Sequence, residues 1–167
     1  HTQVKGGMGM TSRNQTDRTR LWATGLRAAA VVTALNVAVL LGGRAADVPF
    51  EKPAWDGSGG SIAVTPAEVI FVSMTTFLIG VAFAWLLARR DPRRLGYALV
   101  AGGVFTLLSL GGPLSLETDA ATKALLASMH LVSGAGYISF IRRVRSEATS
   151  PASPSQRGTP LASPAAP

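Results

Sequence analysis

The chain has 167 residues, no cysteine and a formal net charge of +7 at pH 7, and 47% of its residues are apolar. The missing thiols exclude disulfides, thiolate metal sites and a cysteine nucleophile. The basic balance suits either nucleic acid or an anionic membrane surface, and the placement of the arginines decides between them.

Residues 1–20 read as a disordered basic segment carrying Arg13, Arg18 and Arg20. Met8 and Met10 mark His1–Met10 as an extension ahead of a natural start. An apolar run follows over 21–43, close to the ~20 residues a helix needs to cross ~30 Å of hydrocarbon. Between Ala28 and Leu41 its only polar residues are Thr33 and Asn36. Gly43 and Ala45 would suit a signal-peptide cleavage site, but the run exceeds the usual ~7–15 residues of such a segment, so a retained helix is expected. Ala30, Ala34, Ala38 and Gly42 recur at a spacing of four, which predicts a packing stripe.

A loop over 44–64 contains Phe50 and Trp55, which predict a lid packed on the end of the bundle, and the flexible Gly57-Ser58-Gly59-Gly60. Its Asp47, Glu51 and Asp56 lack regular metal-ligand spacing. Thr65-Pro66-Ala67-Glu68 has the layout of a capping box with proline at the first helical position. It opens a second apolar run over 66–88, where Ser73, Thr75 and Thr76 are the polar residues of Val69–Ala88. The second stripe, Thr76, Gly80, Ala84 and Ala88, is expected to face the first in an antiparallel pair, with a homodimer through one stripe as the alternative.

After Arg89-Arg90-Asp91-Pro92-Arg93-Arg94 comes a third run over 95–112 with Gly102, Thr106 and Ser109 along one face. Pro113 should end it. Asp119 or Thr118 can cap the fourth run, over 120–141, whose small residues are Ala127, Gly134 and Ala135. Residues 146–167 hold half of the ten prolines among serines and alanines. That composition predicts a disordered tail, since it buries too little apolar surface to offset chain entropy.

The fold class is therefore all-α: an integral membrane four-helix transmembrane bundle. Arginine clusters before the first run, between the second and third, and after the fourth (Arg142, Arg143, Arg145) place those segments and both termini in the cytoplasm. Trp22, Trp85, Tyr97 and Tyr137 fall near the same inner interface, where amphipathic rings prefer to sit. Arginines at helix ends reach lipid headgroups, and Arg27 snorkels to the same level. The expected partner is the bilayer of the plasma membrane, with no nucleic acid.

Six residues form the candidate polar site: Asn36, Glu68, Thr75, Thr76, Ser109 and His130. His130 lies about ten residues into its run, near the midplane at ~1.5 Å per residue. Intramembrane ionisable groups are costly and become functional candidates, although a neutral imidazole is also satisfied by a neighbouring hydroxyl. Asn36 needs partners on another helix, with Thr75 or Thr76, Ser109 or His130 in reach. These groups make either an outward cavity rimmed by Glu68 or a closed network holding the bundle together. The chain contains no nucleophile elbow, phosphate-binding glycine loop or paired intramembrane carboxylates, so neither catalysis nor a cofactor is expected.

Asn36, Val64-Thr65-Pro66-Ala67, Leu108-Ser109-Leu110-Gly111-Gly112-Pro113-Leu114 and Met129-His130-Leu131-Val132-Ser133-Gly134 together resemble the actinobacterial membrane proteins grouped as domain of unknown function 6069. The resemblance covers about Leu21 to Arg143. It implies a four-helix membrane protein and supplies no catalytic residues. The resulting expectation is a non-enzymatic structural or accessory component. The alternative is a small-molecule or proton-handling protein with an outward polar cavity around His130 and Asn36.

Overall fold

The computed structural model describes residues 9–54 and 59–149, with side chains over 19–54 and 59–147. In chain order these form α1 (Gly9–Ala45), strands β1 (Glu51–Pro53) and β2 (Ser61–Ala63), α2 (Pro66–Arg90), a 3-10 turn (Pro92–Arg94), α3 (Leu95–Ser109), α4 (Gly111–Ser115) and α5 (Ala120–Thr149). Four segments are long and apolar enough to cross a membrane: Thr19–Ala45, Pro66–Arg90, Pro92–Ser115 and Ala120–Glu147. The protein is a four-span membrane bundle, and the even number of spans brings residues 19 and 147 to the same end.

Helix α1 packs along α2 and α5, and α5 packs along α3, whereas α2 and α3 touch less extensively; Leu95 and Ala98 of α3 are buried near the turn that joins them. Exposed Leu26, Phe71, Ile79, Val100, Phe105 and Leu131 line the outside, as a hydrocarbon solvent permits. Backbones approach closely where the facing residue is glycine. A Cβ at Gly25 would lie 2.7 Å from the Val81 side chain, and one at Gly80 would lie 2.8 Å from the Tyr137 ring. Gly102 closes on the same ring from the other side. Such contacts replace the hydrophobic driving force that lipid does not supply.

The buried side chains fall into two groups. At the arginine-rich end Leu21, Ala29, Val32, Phe77, Val81, Ala84, Leu95, Ala98, Tyr137, Phe140 and Ile141 pack together. At the opposite end Leu40, Phe50, Val64, Val69 and Met129 do so.

Several expectations are corrected. Helix α1 begins at Gly9, inside the segment expected to precede the first helix. Likewise α5 continues to Thr149, through the first residues of the expected tail. Residues 1–8 and 150–167 lie outside the described residues.

The stripe Ala30, Ala34, Ala38 and Gly42 faces outward. The packed face of α1 instead carries Gly25, Ala29, Val32, Asn36, Leu40 and Gly43. On α2, Gly80 and Ala84 do pack inward while Thr76 is exposed. Tyr137 is buried in the core rather than placed in an interfacial belt, whereas Tyr97 is 70% exposed.

The third span breaks at Leu110, before Pro113. A proline at 113 has no amide hydrogen to give the carbonyl of Ser109 and crowds it, which interrupts the ladder four residues upstream. Leu114 N then bonds Leu110 O at 3.2 Å, and α4 completes the span with Pro113 buried.

The loop between α1 and α2 contains an antiparallel hairpin that its sequence did not announce, pairing Glu51 with Ala63, Lys52 with Ile62 and Pro53 with Ser61. Phe50, fully buried, leads into it with a left-handed backbone at φ 48° and packs against Leu125 over Gly43. A bulky residue rarely adopts that conformation, and here the burial of its ring offsets the strain. Val64 N donates to Phe50 O at 2.8 Å and Arg44 Nη2 donates to Val64 O at 2.7 Å, tying the hairpin across the bundle end. The lid expected from Phe50 is present; Trp55 lies outside the described residues.

Candidate functional site: an intramembrane polar layer

A layer of polar side chains separates the two apolar groups. On α1 it consists of Thr33 and Asn36, on α2 of Ser73, and on α5 of Ser133. Asn36 is 2% exposed. Its Nδ2 donates to Ser73 Oγ at 2.9 Å and to Ser133 Oγ at 3.0 Å, so one amide joins three helices. Ser133 Oγ in turn donates to Met129 O at 2.9 Å, which leaves the oxygen free to accept from Asn36. Asn36 Oδ1 and, one turn earlier, Thr33 Oγ1 are buried without a hydrogen-bond partner.

His130 stands one turn from Ser133 on α5 and reaches α3, with Nδ1 3.0 Å from Ser109 Oγ. Ser109 Oγ donates to Thr106 O at 2.8 Å. A hydroxyl has one hydrogen, so this arrangement makes Nδ1 the donor to Ser109 and leaves the Nε2 lone pair available. Thr106 Oγ1 bonds back to Gly102 O at 2.7 Å, and its side chain fits the gap left by Gly134. Toward the arginine-rich end, Tyr137 O–H donates to Gly80 O at 3.1 Å and thereby links α5 to α2. All four spans thus contribute a polar group to one layer. Interhelical hydrogen bonds of this kind average roughly 0.6 kcal/mol, with a maximum near 1.7.

Of the six residues expected here, the structure brings together Ser109 and His130 and places Asn36 in the same layer with other partners. Thr75 and Thr76 are both exposed; at about 100° per residue Thr75 points roughly 160° away from Ser73 around the helix. Glu68 does not rim the layer. It sits in the first turn of α2, where its amide donates to Thr65 Oγ1 at 3.2 Å, and its carboxylate pairs with Lys52 of the hairpin. Ser73 and Ser133 were the partners missed. Their signal was positional: each follows a buried apolar residue of the hairpin-end group by four, Val69 in one case and Met129 in the other.

At the ends, Asp119 Oδ1 accepts from Thr122 N at 2.9 Å and caps α5. The Thr122 hydroxyl and backbone amide beside it favour the ionised form and hold its carboxyl below the ordinary value of 3.8.

The four apolar spans and the polar layer between them define a multi-pass membrane protein whose helices are keyed to one another by neutral hydrogen bonds. A family model described as a family of unknown function, DUF6069, matches residues 16–147. That match spans most of the chain, and the protein belongs to this family. No curated protein and no solved structure matches it.

Proposed function

We propose that the protein is a non-enzymatic structural or accessory component of a bacterial plasma membrane, with both termini cytoplasmic. The main support is that the nitrogen donors inside the bundle are spent on hydroxyls of neighbouring helices: Asn36 Nδ2 on Ser73 and Ser133, His130 Nδ1 on Ser109. Such pairs fix the rotation and register of helices that lipid alone would leave free to slide. The orientation rests on the arginines of the α2–α3 turn and of the end of α5, set against the mixed charges around the hairpin.

Replacement of His130 by alanine tests this reading. A bundle less stable in detergent supports it. A bundle of unchanged stability that loses proton flux in liposomes, followed with an entrapped pH dye, overturns it.

A second reading, proton or small-molecule handling around His130 and Asn36, has specific support in the free lone pair of His130 Nε2 and the unsatisfied Asn36 Oδ1. Both are acceptors, and would suit a ligand that donates hydrogen bonds. The liposome flux measurement separates the two readings.

A further inference from the structure

Arginines crowd the end of the bundle where α2 turns into α3. Arg89 and Arg90 close α2, Arg93 and Arg94 lie in the 3-10 turn, and all four side chains are exposed. Helix α5 delivers more positive charge to the same level. Gly102 faces Tyr137, Thr106 faces Gly134 and Ser109 faces His130, and this antiparallel register, continued, sets Leu95 beside Val144 and Arg94 level with Arg145. Arg142 and Arg143 are exposed on the last turns of that helix.

The acidic side chains described at this end are already engaged. Asp91 Oδ1 accepts from the Arg93 amide at 2.9 Å to cap the turn, and Glu147 Oε1 receives Arg143 Nε at 3.1 Å. The surplus positive charge therefore calls for anions from outside the chain.

The depth of this surface is set by indoles. The Trp22 and Trp85 rings lie 6.5 Å apart, and the Arg89 guanidinium stands 5.7 Å over the Trp85 ring. Tryptophan sits at headgroup level, and a guanidinium fork matches phosphate oxygens two at a time. Exposed Leu86, Tyr97 and Val100 flank the turn and offer apolar surface to acyl chains.

We propose that the α2–α3 turn and the end of α5 form a binding surface for anionic phospholipids, recognised as a phosphate diester of net negative charge with its acyl chains along α2 and α3. A zwitterionic lipid would bring its own cation against the arginines and bind less well.

The test uses brominated acyl chains as quenchers of the resident tryptophans. Full-length protein carrying Trp55→Phe, so that emission comes from Trp22 and Trp85, is reconstituted in phosphatidylcholine bilayers. Brominated phosphatidylglycerol or brominated phosphatidylcholine is then introduced at equal mole fraction. The expected result is several-fold more effective quenching by the phosphatidylglycerol, reduced by salt and abolished in the Arg93→Gln/Arg94→Gln variant. Equal quenching by the two lipids overturns the proposal. A preference that survives in the double variant overturns its assignment to the turn.

Discussion

His130 Nδ1 meets Ser109 Oγ at 3.0 Å beside the point where the third span breaks. The pair holds α5 to a helix that has lost a ladder bond to Pro113, and each partner alone is an incomplete support. Ser109→Ala and His130→Ala are therefore expected to cost similar amounts, and the double variant little more than either. A coupling energy of about 0.6–1.7 kcal/mol is anticipated from interhelical bonds of this class. Reversible unfolding in bilayers by steric trapping measures it, and strictly additive effects would contradict the pairing.

Glycine replacements should separate the packed face from the lipid face. Gly102→Leu drives a side chain into the Tyr137 ring, at an overpacking cost of about 1–3 kcal/mol. Ala34→Leu, on the outward stripe of α1, should change stability by less than about 0.5 kcal/mol. Comparable losses for the two in unfolding experiments would mean that the rotation of α1 differs from the one described.

Phe50 anchors the hairpin, and its removal should loosen that end of the molecule first. Phe50→Ala leaves a cavity among Leu40, Val64, Val69 and Met129 at a cost of about 3–5 kcal/mol. Limited proteolysis is the direct readout: cleavage between α1 and α2 should accelerate while the spans stay protected. Unchanged cleavage would show that the ring does not hold the loop.

Acid sensitivity follows from Asp119. Its folded carboxyl releases its proton at lower pH than the unfolded one, because the Thr122 hydroxyl and amide beside it favour the ionised form. The stabilisation is complete above the unfolded value near 3.8 and disappears as pH falls through the lower folded value. Asp119→Asn should reduce the dependence of the denaturation midpoint on pH in that acid range and leave it unchanged at neutral pH relative to the variant's own baseline. An identical acid slope in the variant would exclude the carboxyl as its source.

The four spans were legible because ~20 apolar residues in a row have few other uses. The cap of α2 was legible because Thr65 and Pro66 act locally. Helix rotation was not legible in the same way. Ala30, Ala34, Ala38 and Gly42 are smaller on average than the residues that do pack, yet Val32 and Asn36 win the interior because Gly136, Ser73 and Ser133 on neighbouring helices complement them. Which hydroxyl would meet Asn36 depended on that rotation, so Thr75 and Thr76 looked as suitable as Ser73. The hairpin escaped notice because Glu51-Lys52-Pro53 shows no alternation of apolar and polar residues; its strands are positioned by the burial of Phe50.

Asn36 is the joint between three spans, since its single amide joins α1, α2 and α5 at the boundary between the two apolar groups. The most direct measurement is the unfolding free energy of Asn36→Ala in phosphatidylcholine bilayers, taken alongside proton flux through liposomes containing each protein. The expected result is a loss of about 1–3 kcal/mol, combining two interhelical bonds with the space left by the side chain, and a flux equal to that of protein-free liposomes for both proteins. An unaltered stability together with a wild-type proton flux that the substitution abolishes would contradict it, and the polar layer would then be a conduction or binding site.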